Sequence, residues 1–369
     1  MNERLFVDIH VIETLPPSCV NRDDLGSPKT AVYGGVTRAR VSSQAWKRAI
    51  RLEFEEMQEE IGKRTRHVSD LLTKKILDIA PDTENAQTLA DNILNDVKIK
   101  TDAKKHTNNV LFFISPAQIR ALAETAVQFE AFIMMEEKEK KKHKEETAAY
   151  EESRNAAIRE NPSLDVALFG RMLADDPDLN LDAAAQVAHA ISTHEVHNEF
   201  DYFTAVDDFE DAPGAGHLGT LEFNSATMYR YATVNAMELE KHMPGQTAHV
   251  VRAFTEAFIR SMPTGKQNSY ANRVRPDAVY VSVRRDQPVN MAGAFEKPIR
   301  PGKDGFADAS VKALVSYAQD TYQDYYEAPV QAFVIGNGMD ELGEKVTLKD
   351  LLDSLEACLN QQLAGKVEK

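Results

Sequence analysis

Alternating apolar and polar residues near the start of the chain predict a strand that is buried on one face. Residues 5–13 place apolar side chains at every second position, at Leu5, Val7, Ile9 and Val11, as in a half-buried strand. Residues 16–24 are rich in Pro, Ser, Asn and Asp, which predicts a loop. Residues 36–41 predict a second strand, with Arg38 and Arg40 on one face because side chains alternate with a period of two.

An amphipathic helix is predicted directly after this second strand. Ser42 and Ser43 are favourable N-cap residues. Apolar residues then recur at helical spacing, at Trp46, Ile50, Phe54, Met57 and Ile61. The opposite stripe carries Gln44, Lys47, Arg48 and Arg51, at positions i, i+3, i+4 and i+7. The basic residues are therefore sorted onto one face of the helix.

The rest of the chain combines a long helical region with short strands. Residues 68–160 predict mostly polar helices, and their mixed charge run at 136–146 is typical of a solvated helix. Residues 165–172 are interpreted as a strand. In residues 183–197 the alanines favour helix while the alternation favours strand, and the residues alone leave both open. The pattern further predicts strands at 227–236 and 278–284 and helices at 247–262, 307–319 and 348–362.

The order of these elements indicates an α+β fold. Without the helical insertion, the order is strand, helix, strands, helix, strand, which is the split βαβ or ferredoxin-like arrangement shared by RNA-recognition modules. The chain has 369 residues and 43% hydrophobic residues, which excludes a largely disordered protein. The longest apolar run, 110–114, is too short for a membrane span, and no signal peptide pattern opens the chain. Cys19 and Cys358 have no zinc-binding spacing, so we expect a soluble, cytoplasmic protein without membrane partners.

The charge distribution is uneven. The net charge of −15 argues against binding a polyanion. Two segments nevertheless are basic: residues 25–52 contain no acid, and residues 257–285 hold six bases against the single acid Asp277. Each segment is either solvated surface or an anion-binding site.

Three motifs suggest chemistry, and each has a simpler explanation. Residues 214–219 match GxGxxG, but no strand precedes them and no helix follows, so a loop is favoured over a dinucleotide site. His194 and His197 are one residue too close for the HExxH zinc motif. An acid cluster could hold Mg²⁺ for phosphodiester cleavage, or could simply form an exposed turn. Its members are Asp201, Asp207, Asp208, Glu210 and Asp211.

The strongest physical signal is the first basic segment. The free N–H groups of the helix that starts at Ser42 and Ser43 favour a phosphate. Gln44, Lys47 and Arg51 continue along one face, where cations in line neutralise successive phosphates. We expect Arg38 and Arg40 to approach from the neighbouring strand. Tyr202 and Phe203 could wedge between bases, or could anchor a loop.

Several blocks of the sequence resemble the CasC family, the backbone subunits of the type I-E CRISPR surveillance complex, Cascade. These blocks are Pro17-Ser-Cys-Val-Asn-Arg-Asp-Asp24, Tyr33-Gly-Gly35, Arg40-Val-Ser-Ser-Gln-Ala-Trp-Lys-Arg48, Ala167-Leu-Phe-Gly-Arg-Met172, Ala188-His-Ala-Ile-Ser-Thr-His194, Phe203-Thr-Ala-Val-Asp-Asp208, Gly216-His-Leu-Gly-Thr220 and Ala294-Phe-Glu-Lys297. They occur in order up to about residue 300.

The resemblance implies an RRM-like palm with a helical fingers insertion and a thumb β-hairpin. Palm segments are expected at 1–60, 161–197 and 223–300, fingers at 61–160, a thumb at 198–222 and a partly helical C-terminal segment at 301–369. It also favours strands at 165–172 and 183–197. The GxGxxG motif would belong to the returning arm of the thumb, and the acids to its base.

The resemblance also implies the site residues. In this family the palm grips guide phosphates, at positions that match Arg22, Ser42, Gln44, Lys47 and Arg51. Together with the charge pattern, this makes Arg38, Arg40 and Arg48 further RNA-binding candidates. Met172 would pack against a base, Tyr202 and Phe203 would form the thumb wedge, and Lys266 is a further expected contact.

The function that the resemblance implies is a non-enzymatic scaffold for antiviral defence. Its expected partners are CRISPR guide RNA, the target DNA strand that pairs with the guide, further copies of itself and other Cascade subunits. No cofactor or metal is expected. The alternative is a metal-dependent ribonuclease that uses Asp201, Asp207 and Asp208.

Overall fold

The computed structural model describes residues 4–102, 104–173, 177–204 and 218–364. Its chain divides into two compact units. The first comprises Met1–Glu53, Gln186–Met237 and Ala248–Lys369, and the second comprises Phe54–Ala185 and Glu238–Thr247. The expected fingers, 61–160, lie within the second unit, which extends further along the chain at both ends. Most of the acid cluster and of the GxGxxG motif falls outside the described residues.

The first unit is built on a large mixed sheet. In chain order its strands are β1 (Phe6–Ser18), β2 (Thr30–Tyr33), β3 (Val36–Val41), β6 (Ala185–Val187), β7 (Ala190–Ser192), β8 (Glu199–Thr204), β9 (Leu218–Asn235), β10 (Ala278–Arg284), β11 (Gln331–Ile335) and β12 (Glu344–Lys345). The hydrogen-bonded order is β12-β11-β10-β1-β9-β7-β3-β2, and β6 and β8 each pair with β9 outside this path. The strand predictions at 36–41, 227–236 and 278–284 are confirmed.

Four antiparallel strands in the middle of the sheet, β10-β1-β9-β7, carry the predicted strand–helix pattern. Helix α1 (Ser43–Glu56) lies in sequence between β1 and β7, and α10 (Thr247–Arg260) lies between β9 and β10. The chain therefore runs through β-α-β-β-α-β, as the split βαβ pattern predicts. The α+β class is confirmed.

Both faces of the central strands are covered. On one face Val7, Ile9 and Val11 of β1 sit opposite Val234, Ala232 and Arg230 of β9, and this face packs against α1 and α10 through Trp46 and Phe258. The other face carries the aromatic side chains of Tyr229, Tyr231 and Tyr280. Helix α12 (Ala307–Asp324) and a 3-10 helix, Met291–Phe295, pack over them. Strand β1 is thus buried on both sides although its sequence alternates, because the polar residues Asp8 and His10 of its second face are buried as well.

The C-terminal segment completes this unit. The helices predicted at 307–319 and 348–362 are confirmed as α12 and α13 (Leu348–Ala364). Arg252 of α10 forms ion pairs with Asp353 (3.0 Å) and Glu356 (3.1 Å) of α13. A four-residue helix, α11 (Gln267–Tyr270), lies in the loop before β10. In the described part of the chain, no helix is long and apolar enough to cross a membrane.

The second unit is mainly helical, as predicted for 68–160. Its helices are α2 (Val68–Ile79), α3 (Ala86–Asp96), α4 (Pro116–Gln128), α5 (Glu130–Ile133), α6 (Glu137–Lys140), α7 (Lys144–Arg159) and α8 (Leu164–Phe169), with a 3-10 helix at Pro177–Leu179 and a two-stranded sheet of β4 (Lys63–Thr65) and β5 (Phe112–Ile114). Helix α9 (Ala236–His242) follows β9 in sequence. The buried faces of α2, α3 and α4 share one apolar core around Leu72, Leu89 and Leu122.

The strand prediction at 165–172 is wrong, because residues 165–169 belong to helix α8 and Arg171 forms only an isolated β-bridge with Leu181. Two local features are typical of a helix and not of a strand. Ser163 stands at the N-cap position with Asp165 in the first turn, and Gly170 follows the last helical residue with φ +76°. For 183–197, β6 and β7 confirm the strand alternative over part of the segment.

Candidate nucleic-acid interface

The N-terminus of α1 is held by its neighbours. The Ala45 N–H donates to the Ser42 hydroxyl (3.4 Å), and the Ser42 N–H donates to the Asn21 side-chain oxygen (2.9 Å). Asn21 also accepts a hydrogen bond from the Lys29 N–H through its backbone oxygen. The first turn of α1 contains no acidic residue. This helix terminus therefore combines a fixed position with the positive end of a helix dipole.

The basic stripe of α1 has the predicted arrangement. Trp46, Ile50 and Phe54 are fully buried, while Gln44 and Arg48 are exposed and Lys47 and Arg51 are half-buried. Burial lowers the pKa of the Lys47 ammonium from its usual value. A bound phosphate would favour the charged form of such a lysine.

Arg38 does not belong to this exposed surface, which corrects its assignment as an RNA contact. Its side chain is 0% exposed, and its guanidinium donates to the backbone oxygens of Tyr33 (3.1 Å), Ser192 (2.9 Å) and Phe295 (2.7 Å). The carbonyl groups of three segments thus replace water around the cation. Arg38 joins β3 to β7 and to residues 295–296.

Arg40, two residues further along β3, keeps part of its side chain at the surface. Its guanidinium donates to the Thr30 backbone oxygen (3.1 Å) and lies 3.1 Å from the His189 Nδ1 atom. Burial and the nearby Arg40 both lower the pKa of His189. A neutral His189 can accept a hydrogen bond from Arg40 and leaves the remaining guanidinium N–H groups for another partner.

Two loops that carry the cations Arg22 and Lys266 meet near Cys19, where Asp23 and Asp24 also lie. Gly265 lies so close to the Val20 backbone oxygen that a Cβ atom there would overlap it. Residues 20–26 and Gly265 line a shallow depression. Burial raises the pKa of the Cys19 thiol, and the charges of Arg22 and Lys266 oppose this rise. The structure therefore brings Arg22 and Lys266, which are far apart in sequence, close to one thiol.

The sheet itself offers no exposed aromatic surface for bases at its central strands. RNA-recognition modules stack bases on aromatic side chains of an open sheet face. Here Tyr229, Tyr231 and Tyr280 of that face are buried beneath α12. These three rings are therefore not accessible to bases.

The β8–β9 hairpin carries exposed aromatic side chains. Tyr202 and Phe203 of β8 pair with Thr220 and Gly219 of β9, and their side chains are 64% and 44% exposed. Because neighbouring side chains alternate, the two rings lie on opposite faces of the hairpin. Phe200, which is 67% exposed, shares the face of Tyr202. The alternation of side chains along 199–204 would have been enough to predict from the sequence that Phe200 and Tyr202 lie on the same face.

Phe203 is partly exposed and also contacts the neighbouring strand of the hairpin. A Cβ atom on Gly219 would overlap the Phe203 ring, so the ring lies directly over the glycine on the opposite strand. Tyr202, in contrast, faces Thr220. Of the two residues of the expected wedge, Phe203 therefore packs on the opposite strand, whereas Tyr202 has no glycine beneath its ring.

Met172 follows two packed residues of the second unit, Gly170 and Arg171. The preceding Arg171 is buried and its guanidinium donates to Gln118 Oε1 (3.1 Å) and to the Ile158 backbone oxygen (2.9 Å). Gly170 closely approaches the Leu181 backbone oxygen, which leaves no room for a Cβ atom. Met172 itself is 82% exposed. The Gly-Arg-Met block therefore consists of two packed residues and one accessible apolar side chain.

The metal motifs receive no support from the described part of the chain. It contains no group of three or more His, Cys, Asp or Glu side chains placed to hold a metal ion. His194 stacks on Phe306 with ring centroids 3.7 Å apart and accepts the Thr227 N–H at Nε2. Asp201 lies on β8, whereas Asp207, Asp208, Glu210 and Asp211 are outside the described residues.

Comparisons with known proteins agree with this architecture. The family model "CT1975-like protein" matches residues 7–361. A chain of a solved structure titled "CRISPR RNA-guided surveillance complex, pre-nicking" is 34% identical with a TM-score of 0.81, and the match covers 96% of this chain and 99% of that chain. A chain of a structure titled "CRISPR RNA-guided surveillance complex" is 28% identical with a TM-score of 0.70, at the same coverage. A comparison with curated protein sequences found no match.

Proposed function

Because the chain belongs to the CT1975-like protein family, the type I-E CasC family that its motifs indicated, we propose that it is a backbone subunit of an RNA-guided surveillance complex. The subunit binds CRISPR guide RNA along the phosphate backbone and stacks with further copies of itself. It holds the guide for pairing with a target DNA strand in antiviral defence. The similarity to two chains of such complexes over nearly their full length supports this proposal.

The observation that carries the RNA-binding part is the face of α1. Gln44, Lys47, Arg48 and Arg51 lie in one stripe after an acid-free first turn. Arg22, Arg40 and Lys266 are the further proposed contacts, and Arg38 is left out because it is buried. Ser42 is buried too, but it caps α1 and would contribute by holding the helix N-terminus that faces the phosphate. A line of cations on a helix can neutralise successive phosphates of an RNA backbone. The net charge of −15 does not oppose such binding, because only the surface that contacts the RNA has to be basic.

The remaining contacts are proposed for bases. The fingers, 61–160, lie within the second unit. The palm is assigned to 1–60, 161–197 and 223–300, and the β8–β9 hairpin belongs to the thumb, 198–222. Tyr202 and Phe203 would displace a nucleotide of the guide–target duplex, and Met172 would pack against a base. Their exposure supports these roles, since side chains that stack on bases must be accessible.

We propose that the subunit is not an enzyme and requires no cofactor or metal. The binding residues named above are cations, amides and hydroxyls that position phosphates and supply no acid–base pair for cleavage. The ribonuclease alternative depends on Asp201 together with Asp207 and Asp208. Incubation of the protein–RNA complex with Mg²⁺ distinguishes the two functions, because only a ribonuclease would shorten the bound RNA.

The salt dependence of RNA affinity tests the proposal. Each phosphate contact to single-stranded RNA contributes about 0.7 to the slope of log affinity against log salt concentration. We expect Lys47→Ala and Arg51→Ala each to lower the slope by about this amount. Lys312→Ala is the matched control, because Lys312 is an exposed cation on α12, which covers the opposite face of the sheet.

Two results would contradict the proposal. A slope that is the same in all three variants and in the wild type would exclude the α1 stripe as the RNA contact. Shortening of bound RNA on addition of Mg²⁺, abolished by Asp201→Ala, would favour the ribonuclease instead.

A further inference from the structure

We propose that Arg230, a buried residue that does not face the RNA, is the positioning residue that orients α1 so that Lys47 and Arg51 meet the guide backbone. This inference rests on the proposed function. It follows from the contacts that surround the Arg230 guanidinium, which connect α1 to the sheet and to α10.

The guanidinium of Arg230 lies between two aromatic rings. Its Cζ atom is 3.7 Å from the centroid of the Trp46 ring and 4.7 Å from the centroid of the Phe258 ring. In the plane of the group, Nη1 donates to Glu13 Oε2 (2.7 Å) and Nη2 donates to the Phe258 backbone oxygen. Arg230 and Glu13 are both 1% exposed.

These contacts tie four elements together at one point. Trp46 belongs to α1, Phe258 to α10, Glu13 to β1 and Arg230 to β9. Trp46 lies on the buried side of α1, away from the basic stripe. At about 100° of helix rotation per residue, Gln44 and Arg48 are about 160° from Trp46, Arg51 is about 140° away and Lys47 is about 100° away. Arg230 therefore contacts the buried side of α1 and determines both how far the helix lies from the sheet and how it is rotated about its axis.

A planar cation is suited to this task. A buried ion pair often contributes little more stability than apolar residues of similar size. A guanidinium, however, stacks flat on aromatic rings while its in-plane N–H groups bind a carboxylate and a carbonyl, so it accepts only one arrangement of its neighbours. An aliphatic side chain would fill the same space and allow Trp46 to shift.

Arg284 provides a matched control within the same unit. It is also 1% exposed, and it is held by Asp286, by the Gln287 and Glu327 backbone oxygens and by the Tyr322 ring. These partners lie outside α1. Arg284 shares its face of β10 with Tyr280, the face that α12 covers. Its loss should thus affect stability without moving the basic stripe.

The experiment compares Arg230→Met with Arg284→Met at a temperature where circular dichroism shows both to be folded. Trp46 is the only tryptophan in the sequence, so quenching of its fluorescence by acrylamide reports on α1. We expect stronger quenching in Arg230→Met only. With an unstructured oligoribonucleotide as the probe, the salt slope of this variant should fall by about 0.7 or more, as if one or two phosphate contacts were lost.

A double-variant cycle separates positioning from general destabilisation. If Arg230 acts through the stripe, Lys47→Ala should reduce RNA affinity by a smaller factor in the Arg230→Met background than in the wild type. Equal factors in both backgrounds would overturn the proposal, as would equal quenching and equal salt slopes in Arg230→Met and Arg284→Met.

If Arg230→Met does not fold, Arg230→Lys is used in its place. Lysine preserves the charge opposite Glu13 but has no planar group to stack on Trp46. We expect the same changes in quenching and slope, compared with Arg284→Lys, and wild-type behaviour would overturn the proposal. If the wild-type protein binds no RNA, the proposed function fails, whereas the quenching comparison still decides whether Arg230 places α1.

Discussion

At the scale of single residues, Arg38 and Arg40 show how burial changes the role of a cation. Both belong to β3 and alternate onto the same side. The Arg38 guanidinium reaches carbonyl groups of β7 and of residues 295–296, whereas Arg40 reaches only the edge strand β2 and His189. The charge pattern of the sequence could not separate them, because the carbonyl groups around Arg38 come from segments about 150 and 260 residues away.

We predict that Arg38→Met destabilises the protein without changing the salt slope of RNA binding. The substitution leaves several buried carbonyl groups without a donor, and the expected loss is about 2–4 kcal/mol of unfolding free energy. Urea denaturation measures the loss. Arg48→Ala, at an exposed position of the α1 stripe, should give the opposite result, with near wild-type stability and a lower slope. A lower slope in a fully stable Arg38→Met variant would return Arg38 to the RNA surface.

At the scale of elements, the β8–β9 hairpin separates contact residues from residues that hold the hairpin together. Phe203 covers Gly219 across the two strands, and an aromatic ring over a cross-strand glycine protects an otherwise weak position. Phe200 and Tyr202 occupy the other face and stay exposed. Phe203 therefore has a structural role whether or not it also touches a base.

We predict that Phe203→Ala and Gly219→Ala accelerate amide hydrogen exchange in 199–204 and 218–223. Loss of a cross-strand pair costs up to about 1 kcal/mol, which corresponds to an increase of up to about fivefold. Tyr202→Ala is the comparison variant: because the Tyr202 ring lies opposite Thr220 and does not cover a glycine, it should accelerate exchange less than Phe203→Ala does, while weakening any base contact. Faster exchange in Tyr202→Ala alone would mean that Tyr202, not Phe203, supports the hairpin.

The elements that the sequence predicted well are those with strong periodicity. Strand β3 has the predicted bounds, and α10 starts at the predicted Thr247. The stripe on α1 also follows from spacing alone. Residues 165–172 were predicted wrongly because their short apolar run fits a buried strand as well as a helix. In the structure the buried Asp165 accepts hydrogen bonds from the Ser163 hydroxyl and from the Gly62 N–H, and the contact with Gly62 is not visible in the local pattern. The packing of Arg230 on Trp46 could not be predicted, since it needs the register of β1 and β9.

At the scale of the whole molecule, the second face of the sheet holds two buried groups that couple folding to pH. His10 and Asp8 are buried there among Tyr229, Tyr231, Tyr280, Tyr322 and Arg284. Burial, assisted by Arg284, lowers the pKa of His10 to about 3. Burial raises the pKa of Asp8 to about 6, although the Val289 N–H and the Tyr231 hydroxyl donate to it. The two shifts act on stability in opposite directions.

The signs of the two contributions follow from which state binds the proton. Below the unfolded pKa of His10, 6.5, the unfolded chain takes up a proton that folded His10 does not, so acidification destabilises the fold. Between about pH 6 and 3.8, folded Asp8 is protonated while unfolded Asp8 is not, so acidification stabilises the fold. In the wild type these contributions largely cancel between about pH 6 and 4.

We therefore predict that single substitutions reveal opposite slopes in this window. Relative to the wild type, Asp8→Asn should lose stability as the pH falls from 6 to 4, because His10 then acts alone, and His10→Gln should gain stability. Each slope can reach about 1.4 kcal/mol per pH unit, the value for one proton. Urea midpoints at pH 4, 5 and 6 measure both. All other carboxylates are common to the three proteins. Parallel curves would therefore mean that His10 and Asp8 have the same pKa in the folded and the unfolded chain, which would contradict the shifts caused by burial.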